Sequence, residues 1–303
     1  MKESEDVRAP TDLRTKTDAE RRQLTQQTGG APLLDMAAES AAGTTPYVQY
    51  TRVDLLLSLQ SLRSGSPDEM TFMIVGQTME LSMKLLSYEL QLAKQAICSD
   101  DVGAFLPIAR RAGRVLTYMT QAWDVISTIT PSGYVAFRDH LGISSGFGSF
   151  MYREVEFLLG NKDRTMLTPH ERLPAVHARL TELLEAPSLY DEVIRLLARR
   201  GFAIDAATVN RDFSCRYVVN ASVEAAWLNI LRSTRPGEEL CQLSEALMEI
   251  AENFRNWRYR HYVTVSRLIG DKPGTGGTSG LAWLKAIAER NFFPELWAAR
   301  SSL

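Results

Sequence analysis

The residue with the clearest chemical setting is His261, which lies on an apolar stripe. Around it, apolar residues recur at steps of three and four, the spacing of one helix face: Ile250, Phe254, Trp257, Val265 and Leu268. One interpretation is a core histidine with a satisfied hydrogen bond. The other is an axial ligand to a flat apolar cofactor held between helices, where neutral imidazole binds iron. No second ligand has the spacing with His261 that zinc or di-iron requires, so a single-ligand haem is the remaining metal interpretation.

A second group of residues suited to ligand binding lies in TPSGYVAFRDHLGISSGFGS, residues 130–149. Tyr134 and Arg138 are four residues apart on one predicted helix, so the ring and the guanidinium can face the same pocket. A planar guanidinium suits bidentate capture of a carboxylate. The alternative is a surface arginine paired with a nearby acid. Ser144, Ser145 and Gly146 then form a tight loop whose hydroxyl and N–H groups can approach a ligand.

Glycines mark two further segments. The loop GDKPGTGGTSG lacks the GxxxxGK[ST] pattern of a phosphate loop. We interpret it as a mobile lid, with a plain linker as the alternative, and Thr275 is its candidate hydroxyl. The other segment is TFMIVGQTMEL, a helical pattern with Gly76 at its centre. Glycine costs about 1 kcal/mol against alanine in a helix interior, so Gly76 raises the question of what it makes room for.

The hydrophobic pattern predicts that the elements that position these residues are all helices. Helices are predicted at about 47–62, 68–98, 101–129, 131–141, 149–160, 169–184, 187–200, 221–234, 237–269 and 279–289, with a last turn near FFPELW. Thr130-Pro131 is a start signal, and Gly160 and Gly270 are stop signals. Residues 1–44 show no sustained apolar period and are interpreted as a flexible arm before a single domain, 45–303.

Composition narrows the class of protein. The 303 residues are 45% hydrophobic and 23% charged with a net charge of -2, which is typical of a globular protein and gives no basic field for nucleic acid. No apolar run is long enough to span a membrane, and the charged start is not a secretory signal, so a cytoplasmic location is expected. The three cysteines are scattered, and His140, His170 and His177 are interpreted as structural or solvent-exposed.

Taken together, these segments resemble the tryptophan 2,3-dioxygenase family of haem proteins. The matching stretches run in the family's order from about Tyr47 to the C-terminus: YVQYTRVDLLLSLQ, DEMTFMIVGQTMELSMKLLSYEL, ITPSGYVAFRDHLGISSGFGSFMYREVEFLLGNK, EAPSLYDEVIRLLARRG, FRNWRYRHYVTVSRLIG, GTGGTSG and FFPELW. The resemblance implies an all-α bundle with haem b held between helices. It also implies a homotetramer in which the N-terminal region of a neighbouring chain completes the substrate pocket.

The resemblance also assigns roles to single residues. It implies that His261 is the proximal ligand of the haem iron and that Arg138 binds the tryptophan carboxylate. Thr275 matches the loop threonine at the amino-acid end of the substrate, and Ser145 matches a pocket serine. The remaining matches are aromatic: Phe72 and Tyr134 for the wall around the indole, and Tyr47 for the tyrosine donated across the subunit interface.

This sequence departs from the family pattern near the substrate. The family's distal His-Gln is here Gly76-Gln77, its SGFQS is SGFGS with Gly148, and Ser82 stands where an aromatic is common. The histidine that faces the indole N–H is therefore absent, and we expect Gly76 and Gly148 to enlarge the region. Gly76 and Ser145 are the residues that we predict to affect the fate of the oxygen.

The resemblance predicts a haem-dependent oxygenase acting with O2 on the indole C2=C3 bond of L-tryptophan or a β-substituted tryptophan. We favour single oxygen insertion to a 2-oxindole in a biosynthetic pathway, which requires an external reductant. The alternative is a tryptophan 2,3-dioxygenase forming N-formylkynurenine, because related indoleamine dioxygenases work with a serine in the distal pocket. Further alternatives are a non-catalytic protein that binds haem or indole, and a relative that hydroxylates tyrosine.

Overall fold

The chain is described from a computed structural model, which covers residues 17–29, 44–233, 235, 237–272, 274 and 280–303. Throughout these ranges the regular structure is helical and no strand occurs, which confirms the predicted all-α class. The chain divides by its contacts into two units, Met1–Ser61 and Leu62–Leu303. Each unit is described by itself.

Among its described residues, 17–29 and 44–61, the N-terminal unit has three short helices, α1 (Asp18–Thr28), α2 (Pro46–Thr51) and α3 (Val53–Leu56). Helix α1 begins at a capping box of Thr17 and Glu20 and lies within the stretch that we interpreted as an arm. Its sequence is polar on all sides, so hydrophobic periodicity could not reveal it. The single helix predicted over 47–62 is wrong, because Arg52 adopts a φ of 50° and ends α2, and α3 stops at Leu56.

The second unit holds the longer helices. They are α4 (Asp68–Cys98), α5 (Val102–Ile126), α6 (Pro131–Arg138), α7 (Phe150–Leu159), α8 (Pro174–Glu185), α9 (Leu189–Arg199), α10 (Ala206–Val209), α11 (Ala221–Ser233), α12 (Glu239–Ile269), α13 (Leu281–Ala288) and α14 (Pro294–Ser301). Three 3₁₀ helices lie between the described helices, at Asp139–Leu141, Gly146–Gly148 and Arg164–His170. The short α10 has no counterpart among the predicted helices.

The core of the second unit is built on its longest helices. Helix α4 packs along α5, and α5 packs along α12. Their buried residues repeat at helical spacing, as in Leu86 and Leu90 of α4, Leu116 of α5 and Phe254 of α12. This repeat gives each helix one apolar stripe that faces its neighbours, because residues four apart share a helix face.

Local signals fix the ends of the helices nearest the cavity described below. Thr130 caps α6, where its side chain accepts a hydrogen bond from Gly133 N at 3.0 Å and Pro131 occupies the first turn. Helix α12 ends at Gly270, whose φ is 58°. Both boundaries agree with the predicted start and stop signals.

Of the helices that the structure describes, none is both long and apolar enough to cross a membrane.

Candidate functional site

The second unit encloses a cavity of about 430 Å³, a volume typical of sites for small molecules and cofactors. Residues of α4, α5, α6, α7, α12 and α13 line it, together with part of the loop between α6 and α7. Of the predicted site residues, five line this cavity: Phe72, Gly76, Tyr134, Ser145 and His261. Segments far apart in the sequence therefore meet at one site.

His261 lies in the wall formed by α12 and α5. Its imidazole stacks on the indole of Trp123, with ring centroids 4.3 Å apart and the planes 10° from parallel. The ring of Trp257 is 5.9 Å away. Burial lowers the pKa of His261 to about 4, so the side chain is neutral near pH 7 and one ring nitrogen carries a free lone pair. This nitrogen can serve as a metal ligand.

Helix α4 forms a second wall, which has a gap at Gly76. The helix presents Phe72, Val75, Gly76, Met79, Glu80 and Met83 to the cavity. A Cβ built on Gly76 would meet no atom within 4 Å, apart from its chain neighbours and the helix's own backbone. No close approach requires glycine here, so its effect is to leave space beside the cavity.

Tyr134 lines one end of the cavity, and Arg138 lies one turn after it on α6. The ring of Phe72 lies 5.9 Å from that of Tyr134 and 5.4 Å from that of Phe137. Burial raises the pKa of the Tyr134 phenol, and the charge of Arg138 and a hydrogen bond with it oppose the rise. Arg138 is not itself part of the cavity wall, so its link to the site runs through Tyr134.

The loop after α6 contributes the predicted serine. Ser145 caps the 3₁₀ turn Gly146–Gly148, where its hydroxyl accepts a hydrogen bond from Phe147 N at 3.3 Å. Ser145 and Gly146 border the cavity, whereas Gly148 does not. The extra space that we predicted from two glycines is therefore found at Gly76 and not at Gly148.

Besides Arg138, two predicted residues are not among those that line the cavity. Thr275 lies outside the described residues, although Gly274 and Gly280 on either side of that segment border the cavity. Tyr47 belongs to the N-terminal unit, where it is 61% exposed in the first turn of α2. Their roles stay predictions.

The sequence did not lead us to three charged residues beside the cavity. Glu156 accepts hydrogen bonds from Arg153 and from Arg258, the latter at 2.7 Å, and all three side chains are buried. Arg258 Nε also donates to the Tyr152 hydroxyl at 3.1 Å. We define this group as the Arg153–Glu156–Arg258 cluster. The sequence signal that could have indicated Arg153 and Glu156 is charge inside the apolar run FMYREVEFLLG, because a buried charge requires a partner.

The cluster holds two guanidinium groups and one carboxylate. Arg153 lines the cavity, and its Nη2 atom is buried with no hydrogen-bond partner among the described residues. The indole Nε1 atoms of Trp123 and Trp257, also cavity residues, are in the same situation. A buried donor without an acceptor is costly, so these groups favour a ligand that brings acceptors.

The fold and the cavity define an all-helical protein whose internal ligand site combines aromatic rings, a neutral histidine and unpaired buried donors. The chain belongs to the tryptophan 2,3-dioxygenase family, whose model matches residues 34–303.

Several curated relatives agree with this assignment. Tryptophan 2,3-dioxygenase 1 of Ralstonia nicotianae is 46% identical over 281 residues, which cover 90% of this chain and 96% of that protein. The tryptophan 2,3-dioxygenase of Cupriavidus necator is 46% identical over 257 residues, 85% of this chain and 87% of that one. The enzyme of the same name from Paraburkholderia phytofirmans is 48% identical over 257 residues, 85% and 84% of the two chains.

Proposed function

We propose that this protein is a haem-dependent oxygenase that inserts both atoms of O2 across the indole C2=C3 bond of L-tryptophan and releases N-formylkynurenine. The observation that carries the proposal is the neutral imidazole of His261 in the aromatic wall of the cavity. Membership of the family and the names of the relatives support the same reaction. They favour the dioxygenase, which was our alternative, over the monooxygenase outcome that we preferred from the sequence.

The cavity residues fit a haem. His261 would ligate the iron, and the unpartnered Nη2 of Arg153 would bind a propionate carboxylate. Among the described residues, no three His, Cys, Asp or Glu side chains cluster as a site for a bare metal ion would require. When bound, the haem supplies the iron that activates dioxygen. The protein contributes binding, orientation and exclusion of water.

The end of the cavity at α6 would hold the amino-acid part of the substrate. Arg138 would bind the carboxylate through its planar guanidinium, and its hydrogen bond with Tyr134 fixes it at that end. Phe72, with Tyr134, would pack against the indole. Holding a substrate in a reactive orientation can lower the barrier by several kcal/mol. Thr275 and Ser145 are proposed to contact the substrate on the basis of the family pattern.

A second candidate reaction is single oxygen insertion to a 2-oxindole. The observation that favours it is Gly76, which leaves space in the α4 wall where the family has a histidine. The space could accept a displaced indole or a β-substituted tryptophan. In this reaction one oxygen atom enters the product and the other leaves as water, so two electrons and two protons must come from an external reductant.

The mass of the product decides between the two reactions. We would incubate the reduced holoprotein with L-tryptophan and ¹⁸O2 and analyse the product by mass spectrometry. A product heavier by two labelled oxygens that has lost the indole chromophore supports dioxygenation. One labelled oxygen, with turnover that depends on added reductant, supports the 2-oxindole. Haem or tryptophan binding without turnover would contradict both and favour a non-catalytic binding protein.

We also propose a homotetramer in which Tyr47 of one chain completes the substrate site of another. The support is the family pattern and the exposed position of Tyr47 in its unit. Light scattering would give the mass of the assembly. Mixing Tyr47→Ala chains with Arg138→Leu chains tests whether two chains share a site. In a mixed assembly, some sites combine the intact Arg138 of one chain with the intact Tyr47 of the other. Recovery of activity on mixing is expected, and no recovery would contradict a shared site.

A further inference from the structure

Glu80 has an unusual position in the cavity. It is the one acidic side chain among the described residues that line the site, and it lies one helical turn after Gly76 on α4. Its role follows from its partners and from the helix geometry.

The cations near the cavity do not neutralise Glu80. Arg153 and Arg258 both bind Glu156, and no described basic residue forms an ion pair with Glu80. Glu80 forms a hydrogen bond with Ser149, which partly offsets a rise in its pKa caused by burial. A partly buried carboxylate with so few donors is suited to accept a hydrogen bond from a ligand.

The helix geometry places Glu80 and Gly76 over the same part of the cavity. In a helix, each side chain leans towards the N-terminus and covers the turn before its own Cα. For Glu80 that turn contains Gly76, which has no side chain, and a Cβ built on it would meet no atom within 4 Å apart from its chain neighbours and the helix's own backbone. Nothing from residue 76 therefore separates the Glu80 carboxylate from a ligand in the cavity.

We propose that Glu80 accepts the hydrogen bond of the substrate's indole N–H, at the place left open by Gly76. This inference rests on the proposed function, because it requires tryptophan in the cavity. The other polar groups of tryptophan are its carboxylate and ammonium, which stay together near Arg138 and Tyr134. Gly76 lies about 6 Å further along α4 from Phe72, which marks that end, so the indole N–H is the donor available to Glu80.

The test compares tryptophan with 1-methyltryptophan, which has no indole N–H. In the wild-type holoenzyme we expect kcat/KM to favour tryptophan by about tenfold or more, the factor typical of a hydrogen bond to a charged group. In Glu80→Met this preference should fall to about threefold or less, because any remaining discrimination is steric. The dissociation constants, from the change in the haem absorption spectrum on binding, should show the same loss of preference.

Lys84→Met is the matched control, because it places the same side chain on the exposed side of α4 one turn further on. It should keep the wild-type preference. Glu80→Gln provides a second variant if Glu80→Met fails to bind haem. Its neutral amide oxygen should leave a preference several-fold below that of the wild type.

Equal discrimination in the wild type and in the Glu80 variants would overturn the role of Glu80 while leaving the proposed oxygenase intact. A wild type that does not distinguish the two substrates would do the same. Failure of the proposed function is visible separately, as a wild-type protein that binds haem but does not convert tryptophan.

Discussion

The two walls of the cavity differ in how they are filled. On the α12 side, His261 is stacked on Trp123 and held neutral by burial. On the α4 side, Gly76 leaves open space and Glu80 has no cationic partner among the described residues. A closely packed wall fixes one side chain in one orientation. At an open wall, the bound ligand determines which of its atoms contact the protein. We infer that the first wall determines whether a cofactor is held and the second determines how the substrate reacts.

The largest effect should come from removing the fixed side chain. We expect His261→Ala to lose stoichiometric haem, because no other His, Cys or carboxylate among the described residues can replace the ligand at that wall. The haem content is measured from the absorption spectrum after purification. His140→Ala, at an exposed position, is the control and should retain haem. A normal haem spectrum in His261→Ala would refute the ligand assignment.

The next largest effect is expected on substrate binding, at the end of the cavity formed by α6. Arg138→Leu should raise the KM for tryptophan by about 100-fold, because a bidentate charge-assisted pair contributes about 2–3 kcal/mol. Haem content should not change. The measurement is steady-state kinetics with tryptophan and with indole, which has no carboxylate. A loss of the same size for indole would argue against carboxylate binding by Arg138.

The open wall can be filled by Gly76→His. The Cβ position is free of contacts, so the helix should tolerate the change, and the product distribution should shift by several-fold relative to the wild type. Gly148→His is a matched control, because Gly148 has equally free space but does not border the cavity. Product analysis under ¹⁸O2 provides the measurement. Identical products from all three proteins would mean that residue 76 does not set the outcome.

The effect that is smallest at neutral pH is a pH dependence of the apoprotein's stability, which appears only as the pH is lowered. The unfolded chain protonates His261 near its ordinary pKa of 6.5, while the folded chain does so only near 4. Between these values the unfolded state binds more protons, so stability falls as the pH is lowered from 6.5 towards 4, by at most about 1.4 kcal/mol per pH unit. His261→Gln should flatten this slope in urea denaturation, whereas His140→Gln should not.

Local sequence patterns predicted most of the helices but not the contacts between them. Three of these patterns are each visible within a few residues of sequence. The structure has a helix start at Thr130, a helix end at Gly270 and an apolar helix face around His261. The break at Arg52 was missed, because a positive φ in a residue other than glycine has no local signature.

The unpredicted parts of the site depend on distant partners. Arg258 and Glu156 are 102 positions apart in the sequence, and no periodicity indicates that they meet. The same holds for Trp123, because a helical pattern shows that a tryptophan is buried but not which histidine it contacts. The family resemblance assigned expected substrate roles to single residues, and it left out the charged residues of the Arg153–Glu156–Arg258 cluster.

The Arg153–Glu156–Arg258 cluster has a consequence for the amount of this protein in a cell. Two buried cations share one carboxylate, so a ligand that brings a further carboxylate stabilises the folded chain by mass action. Degradation acts on the unfolded fraction, which shrinks as the ligand concentration rises. We therefore expect the half-life of the chain to lengthen when such a ligand is abundant, so that the amount of protein follows the ligand concentration even at a constant rate of synthesis.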